Sequence, residues 1–358
     1  MERLDDAETI ERLDPQGMLK VEEDFYQQLA DAKKIGQDVD LSKISGKKYE
    51  GIVFLGMGGS GFAGDMIKAL IEDETGVFID SIKGYGLPGY VNKDWLVVAL
   101  SYSGNTEETL SCIDEASGLG ATILAVTSGG RLAEIAQKHD HALIKLPSGY
   151  QPRGAIGYLF LPTLMALKKL EVTEIHETDI REGLDTIKQL AQRFNRKVET
   201  GKNFAKQLAC SIGGYLPIIY GTQGYLSSIA YRWKCEINEN AKTPCFYAEF
   251  PELNHNETVG WERLSETSRE FVLILLREED ENERMKARID TTVSLIAKNF
   301  GQVIEVPVEG RSKFARAVSS LYIGDITSVY LALLSGVDPT PVKKIEKLKA
   351  ELSKLDQE

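Results

Sequence analysis

Positive charge, cysteine and histidine are all scarce in this 358-residue sequence, and each shortage closes off a class of function. The 42 Lys and Arg are outnumbered by 54 Asp and Glu, for a formal net charge of −12. A chain of that sign is repelled by nucleic-acid backbones and anionic membrane surfaces, so neither is an expected partner. Any anion site must be local, built from backbone N–H groups, hydroxyls and a few cations. The four cysteines, Cys112, Cys210, Cys235 and Cys245, lack paired metal-ligand spacing and read as reduced thiols of a cytoplasmic protein. His139 and His141 flank Asp140, but no third ligand stands at a workable spacing, so no metal is expected. No uninterrupted apolar stretch is long enough to span a bilayer. The acidic start, Met1-Glu2-Arg3-Leu4-Asp5-Asp6, lacks the apolar run of a signal peptide.

What is present is an alternation of apolar strands and helices. Residues 1–45 form a polar helical arm whose stripe of Leu19, Val21, Phe25, Leu29 and Ala32 would pack on the body or on a second subunit. Strands are expected at 51–55, 77–80, 95–100, 121–126 and 142–146, with helices near 62–73, 106–117 and 131–138. A helical region covers 154–209. The plan then restarts with strands at 216–221, 244–248, 271–276 and 302–307, and helices at 225–238, 282–299, 313–335 and after Pro341. Continuous apolar strands alternating with helices predict parallel sheets covered on both faces. The fold class is therefore α/β: two similar domains, at 46–185 and 186–358, each a mainly parallel sheet flanked by helices, with the N-terminal arm and a C-terminal helix.

Two loops point to the ligand. Gly56-Met57-Gly58-Gly59-Ser60-Gly61 follows the first strand, and Ser101-Tyr102-Ser103-Gly104-Asn105-Thr106 follows the third. Each opens a helix, where unpaired N–H groups face an anion, and glycine lets the backbone approach it closely. The first loop also satisfies G-x-G-x-x-G, with Asp80 placed where a ribose-binding acid could sit. The second loop argues against a dinucleotide. Its three hydroxyls around one glycine suit a phosphate monoester, whose oxygens need several donors. The candidate phosphate site is Gly59 and Ser60 with Ser101, Ser103 and Thr106.

These loops resemble those of sugar isomerase (SIS) domains. Gln151-Pro152-Arg153-Gly154, Asn238-Glu239-Asn240-Ala241-Lys242, Pro251-Glu252-Leu253-Asn254-His255-Asn256-Glu257 and Asp338-Pro339-Thr340-Pro341-Val342 narrow the likeness. Together they are similar to the bifunctional phosphoglucose/phosphomannose isomerases of archaea and bacteria, over about residues 45–352. The resemblance implies four catalytic residues. Glu239 would carry the proton between C1 and C2, with Glu236, Glu249, Glu252 and Glu257 as nearby alternatives. His255 would assist ring opening from across a homodimer interface, and Arg153 would stabilise the enediolate. A lysine on the C-terminal helix, Lys347 or Lys349, would also help open the ring, and the pattern Leu348-Lys349-x-x-Leu352 favours Lys349. Thr340 would leave room near C2 for both aldose epimers.

The expected activity is thus a cofactor-independent interconversion of glucose 6-phosphate, mannose 6-phosphate and fructose 6-phosphate. Two other readings stay open. A phosphosugar-binding regulator needs the loops but not the base, and a nicotinamide-dependent oxidoreductase needs only the glycine pattern.

Overall fold

A computed structural model describes residues 2–263, 266–352 and 354, so Met1 and residues 355–358 at the ends of the expected spans lie outside the described residues. The chain opens with α1 (Ala7–Leu13), α2 (Met18–Glu23) and α3 (Phe25–Asp38). Asp6 caps α1 through its side chain, and Asp14 accepts from Met18 N and Leu19 N at the start of α2. The arm packs on this chain's own body. Leu19, Phe25, Leu29 and Ala32 enter the main core, α3 lies along a later helix, and Phe25 stacks on Tyr322 at 5.7 Å.

The first sheet follows, with β1 (Gly51–Leu55), α4 (Gly58–Ile71), β2 (Phe78–Ile82), β3 (Trp95–Leu100), α5 (Glu107–Gly118), β4 (Thr122–Thr127), α6 (Gly130–Lys138) and β5 (Ala142–Lys145). All its pairings are parallel, in the order β2-β1-β3-β4-β5. A layer of helices comes next, α7 (Ile156–Lys169), α8 (Glu177–Arg193) and α9 (Phe204–Ile212), filling the expected helical region. The second sheet has β6 (Leu216–Thr222), α10 (Tyr225–Glu236), β7 (Phe246–Phe250), α11 (Glu257–Gly260), β8 (Phe271–Arg277), α12 (Glu283–Ile296) and β9 (Gln302–Pro307). It too is wholly parallel, ordered β7-β6-β8-β9. Helices α13 (Lys313–Leu334) and α14 (Lys343–Leu352) end the chain. The expected α/β architecture of two parallel sheets flanked by helices is the one observed.

Alternate residues of each central strand serve different cores, as the two-residue period of a strand requires. Ile52, Phe54, Leu96 and Val98 face a large central core, while Val53, Leu55, Val97 and Ala99 face α5 and α6. In the second sheet Ile219, Val272 and Ile274 face the same central core, and Ile218, Leu273 and Leu275 face α12. The two sheets therefore share one helical layer between them. The expected junction at 185/186 falls inside α8, which belongs to that layer.

Helix α13 runs through the middle. It is 22 residues long and apolar enough, by length and composition, to cross a bilayer, yet 94% of its apolar window is buried inside the protein. Its apolar character is that of a core helix. Gly324 meets the Trp233 indole so closely that a Cβ would fall 2.0 Å from Nε1, which fixes how α13 and α10 cross. All four cysteines are unpaired.

Candidate active site

In each sheet the order reverses between two neighbouring strands, β1 and β3 in the first and β6 and β8 in the second. Open α/β sheets bind ligands beyond the carboxyl ends of the strands at such a switch point. The two hydroxyl loops sit at the first one. Helix α4 begins at Gly58, four residues earlier than its apolar periodicity suggested, so Gly58, Gly59 and Ser60 form its first turn. Gly58 has φ 52°, a left-handed start suited to glycine. No side chain caps α4, nor α5, whose N-cap is Thr106. Tyr102 N donates to Ser60 Oγ at 3.1 Å, joining the loops directly. Ser101 Oγ and Thr106 Oγ1 share a 2.8 Å bond, and Ser101 Oγ also accepts from Gly104 N at 3.1 Å. Gly104, at φ 71°, turns the loop where a Cβ would overlap Gly129 O. Ser103 is exposed and accepts from Asn105 N at 3.3 Å.

The other switch point is blocked. Tyr225 OH donates to Glu278 there, and Arg316 Nε pairs with the same carboxylate at 3.0 Å. A carboxylate at that place repels an anion, so the two halves repeat the plan without repeating the site. Asp80, proposed at a strand end for a ribose, instead lies mid-strand in β2, bonded by Tyr90 OH and 3.9 Å from Lys68 Nζ.

Arg153 lies in a short turn, Pro152–Ala155, ahead of α7 rather than in the helix itself. That turn packs on the first loop: a Cβ on Gly59 would stand 3.0 Å from Pro152 O and 3.2 Å from Arg153 Cα. The arm holds it from the other side, since Gln28 donates to Gly154 O at 2.9 Å and accepts from Gly157 N at 2.6 Å. Arg153 is only 3% exposed. Its Nε donates to Asn240 Oδ1 at 2.7 Å, and its Nη2 donates to Pro339 O at 2.8 Å and Thr340 O at 2.7 Å. Nη1 lies 3.7 Å from Glu239 Oε2.

Glu239 stands on a single π-type turn, Ile237–Ala241, that follows α10. Such turns recur at functional sites because they push side chains out of helical register. Asn240, next in sequence, closes a ring. Its Nδ2 donates to Glu236 Oε2 at 3.0 Å, Glu236 Oε1 meets Arg232 Nη1 at 2.8 Å, and Arg232 Nη2 donates to Arg153 O at 2.7 Å. Arg232 also grips Asp325 of α13 through Nε at 3.1 Å and Nη2 at 3.0 Å. Every one of these groups but Glu239 is essentially buried.

Acid outnumbers base in this cluster. Arg153 and Arg232 face Glu22 of the arm, Glu236, Asp325 and Glu239. Burial, and then the neighbouring Asp325 and Glu236, raises the Glu22 pKa well above its ordinary value, which favours the neutral carboxyl. Burial likewise raises Glu236. Thr340 is buried, and its Oγ1 has no hydrogen-bond partner among the described residues. A cavity of about 540 Å³ opens beside the cluster, lined by Glu239, Lys242, Asp338 and the first turn of α14 among others.

The structure thus brings Gly59, Arg153, Glu239 and Thr340 into one connected set. It brings Ser60, Ser101 and Thr106 together next to it. It does not bring in His255, which is exposed in the turn Glu252–His255 after β7. Lys347 and Lys349 are both exposed on α14. At about 100° per residue, Lys347 falls between Lys343 and Lys344 and Lys349 falls nearer Ile345, and all three of those neighbours line the cavity. The alternative carboxylates are engaged elsewhere: Glu236 in the ring, Glu249 with Ser227, Glu252 with Asn256 and Glu257 with Tyr220. Arg232, Asp325, Glu22 and Gln28 escaped the sequence reading, whereas Asn240 and Lys242 stand within the Asn238–Lys242 motif. Arg232, Glu236 and Asn240 left a signal, polar groups at i, i+4 and i+8 on a helix that is otherwise apolar on that face.

Comparison with known proteins adds to this geometry. Residues 45–170 match the SIS domain model, and residues 201–352 match the bacterial phospho-glucose isomerase C-terminal SIS domain. A bifunctional phosphoglucose/phosphomannose isomerase of Caldicellulosiruptor bescii is 39% identical, over 92% of this chain and 97% of that one. One from Aquifex aeolicus is 38% identical, over 94% of this chain and 98% of that one. Among solved structures, a hypothetical protein of Thermus thermophilus shares the fold with a TM-score of 0.72, at 16% identity over 94% of this chain and 89% of that one.

Proposed function

The chain belongs to the bifunctional phosphoglucose/phosphomannose isomerases and is a phosphosugar isomerase, and on that premise we propose that it interconverts glucose 6-phosphate and mannose 6-phosphate with fructose 6-phosphate through a cis-enediolate, without a cofactor. The observation that carries the reading is the unbroken path from Gly59 to the Arg153 turn and from Arg153 Nη1 to Glu239 Oε2 at 3.7 Å. It puts a candidate phosphate anchor, an oxyanion-stabilising cation and a carboxylate in series.

In this mechanism the first turns of α4 and α5 grip the phosphate. Ser60 Oγ accepts from Tyr102 N, which leaves its O–H to donate outward. Ser101 and Thr106 spend one hydroxyl proton on each other and keep one for the anion. Gly59 N–H and Ser103 add further donors. His255, given across a dimer interface from its exposed turn, opens the sugar ring together with Lys349, or with Lys347 on the neighbouring face. The Glu239 carboxylate then takes the proton from C2 of the open aldose and the C1 carbonyl oxygen becomes the enediolate oxyanion; the C2 hydroxyl proton passes to that oxygen, and as C2=O forms the proton on Glu239 is delivered to C1 to give the ketose. Arg153 stabilises the oxyanion through Nη1, its other nitrogens being held by Asn240 and two carbonyls. Thr340, with its unpartnered hydroxyl, stands beside C2 and tolerates either configuration.

The test is a coupled assay that offers fructose 6-phosphate and reads glucose 6-phosphate and mannose 6-phosphate separately, with EDTA present. Glu239→Gln is isosteric and is expected to lower kcat by about 10³-fold with little change in KM. A variant that retains wild-type turnover removes Glu239 from the chemistry. Wild-type protein that binds fructose 6-phosphate and converts none of it removes the isomerase reading in favour of a sensor. Alanine at Lys347 and at Lys349, in the same assay, decides which lysine takes part.

A further inference from the structure

One cation of the cavity has no part in the mechanism above. Lys242 closes the turn that bears Glu239, and its backbone is left-handed at φ 56°. Glycine or asparagine adopts that conformation at lower cost, so backbone geometry does not account for a lysine here. Its side chain does. Much of the residue is exposed, yet Nζ turns inward and donates to Glu239 O at 2.5 Å and to Pro339 O at 2.9 Å. Pro339 O is the same carbonyl that Arg153 Nη2 engages at 2.8 Å. Lys242 therefore spans the base-bearing turn and the segment leading to Thr340, and both meet Arg153 at one acceptor.

We propose that the Lys242 ammonium is a positioning residue for Glu239, clamping its turn to the Pro339–Thr340 segment so that the carboxylate keeps its spacing from Arg153 and from C1 and C2 during proton transfer. The inference rests on Glu239 being the base. An ammonium makes charge-assisted bonds to both carbonyls, whereas the neutral amine makes only ordinary ones, about half as strong. The charged groups around Nζ are Glu239 on its own turn, Arg153 before α7 and Asp338 in the C-terminal segment, with Lys343 and Lys344 of α14 lining the same cavity. Desolvation, then Arg153, lowers the Lys242 pKa to about 8, against the opposing pull of Asp338 and Glu239. The clamp accordingly loosens as pH rises through that value, and activity falls with it.

The experiment uses the full chain as wild type, Lys242→Gly, Lys242→Arg and Glu239→Gln, with kcat and KM for fructose 6-phosphate followed from about pH 6 to 10 alongside thermal melting. Glycine regains the left-handed backbone cost while losing two bonds, so melting within about 3 °C of wild type is expected. Its kcat is expected to fall by about 10–100-fold, with KM changed by less than about threefold. Arginine stays charged throughout, so it restores part of kcat and moves the alkaline limb upward. Wild-type kcat in Lys242→Gly, or an unmoved alkaline limb in Lys242→Arg, overturns the proposal. Wild-type turnover by Glu239→Gln refutes the base assignment beneath it, while a Glu239→Gln slowed by about 10³-fold beside a fully active Lys242→Gly refutes the clamp alone.

Discussion

Asn240→Ala asks whether the ring of Arg153, Asn240, Glu236 and Arg232 acts as one unit. The carboxamide is fully buried and makes three bonds, to Arg153 Nε at 2.7 Å, Glu236 Oε2 at 3.0 Å and Ser328 Oγ at 2.8 Å. The two bonds with ionisable partners contribute about 1.5–3 kcal/mol each and the third about 0.5–1.5 kcal/mol, a gross loss of about 4–7 kcal/mol. The vacated space is polar and large enough for a water, which offsets part of that. A net destabilisation of about 3–4 kcal/mol is expected, in the upper tail for single substitutions. For a chain of this length the unfolding entropy is about 0.75 kcal/mol/K, so the melting temperature should drop by about 4–5 °C. Function should suffer more than stability. Arg153 loses the tether at Nε, and Glu239, one residue before Asn240, loses its reference point. A displacement of about 1 Å costs about 10² in kcat, while the phosphate loops and hence KM stay nearly as they were. Calorimetry and the two-product assay read both quantities. Asn240→Asp is the control. It keeps an acceptor for Arg153 but turns a carboxylate toward Glu236, so its stability should recover as pH falls from about 8 to 6 and a proton returns between them. If Asn240→Ala melts within about 1 °C of wild type and keeps kcat within about threefold, the ring holds nothing in place and the reasoning fails.

Two further substitutions probe the supports of the site. The Glu22 carboxyl has its pKa raised in the folded protein, so the stability it contributes is complete below its unfolded value of about 4.3 and is lost as pH rises through the folded one. Glu22→Gln has no such proton to lose, so its melting temperature should be higher than wild type at about pH 8 and flatter with pH; profiles of equal steepness would refute a protonated Glu22. Gly59→Ala drives a Cβ to 3.0 Å from Pro152 O and 3.2 Å from Arg153 Cα, both of them backbone atoms. Relief of about 1–3 kcal/mol of overpacking pushes the first loop and the Arg153 turn apart, so KM should rise about tenfold and kcat fall together; unchanged kinetics would mean that the two segments work independently.

Most strand positions were legible because a strand buried on both faces must be apolar along its length, and Ile52-Val53-Phe54-Leu55 or Leu96-Val97-Val98-Ala99 can be little else. The misplacements are local and have local causes. The start of α4 was read at 62 because glycines carry no periodic signal, yet Gly58–Ser60 coil into the helix once the strand behind them is packed. The seventh strand begins at Phe246 rather than 244, since Asn238 Oδ1 takes the Cys245 N–H at 2.9 Å and ties that residue to the Glu239 turn. The helix expected to 238 stops at Glu236 and passes into the π-type turn, which no hydrophobic pattern announces.

The sequence alone determined the alternation of strand and helix, the two parallel sheets flanked by helices and the two loops that follow the first and third strands. Each of these depends on residues close together in the chain, where periodicity, glycine and helix starts act directly. Tertiary structure alone decided which charges meet. Arg153 finds Asn240 across 87 residues and the carbonyl of Thr340 across 187, and Gln28 of the arm reaches Gly154 across 126. A buried guanidinium is tolerable only where acceptors surround it, and no local pattern says who those acceptors are. That is why Arg153 and Glu239 could be picked out as residue types, while the ring that aims them, and the lysine that closes their turn, came into view only with the chain folded.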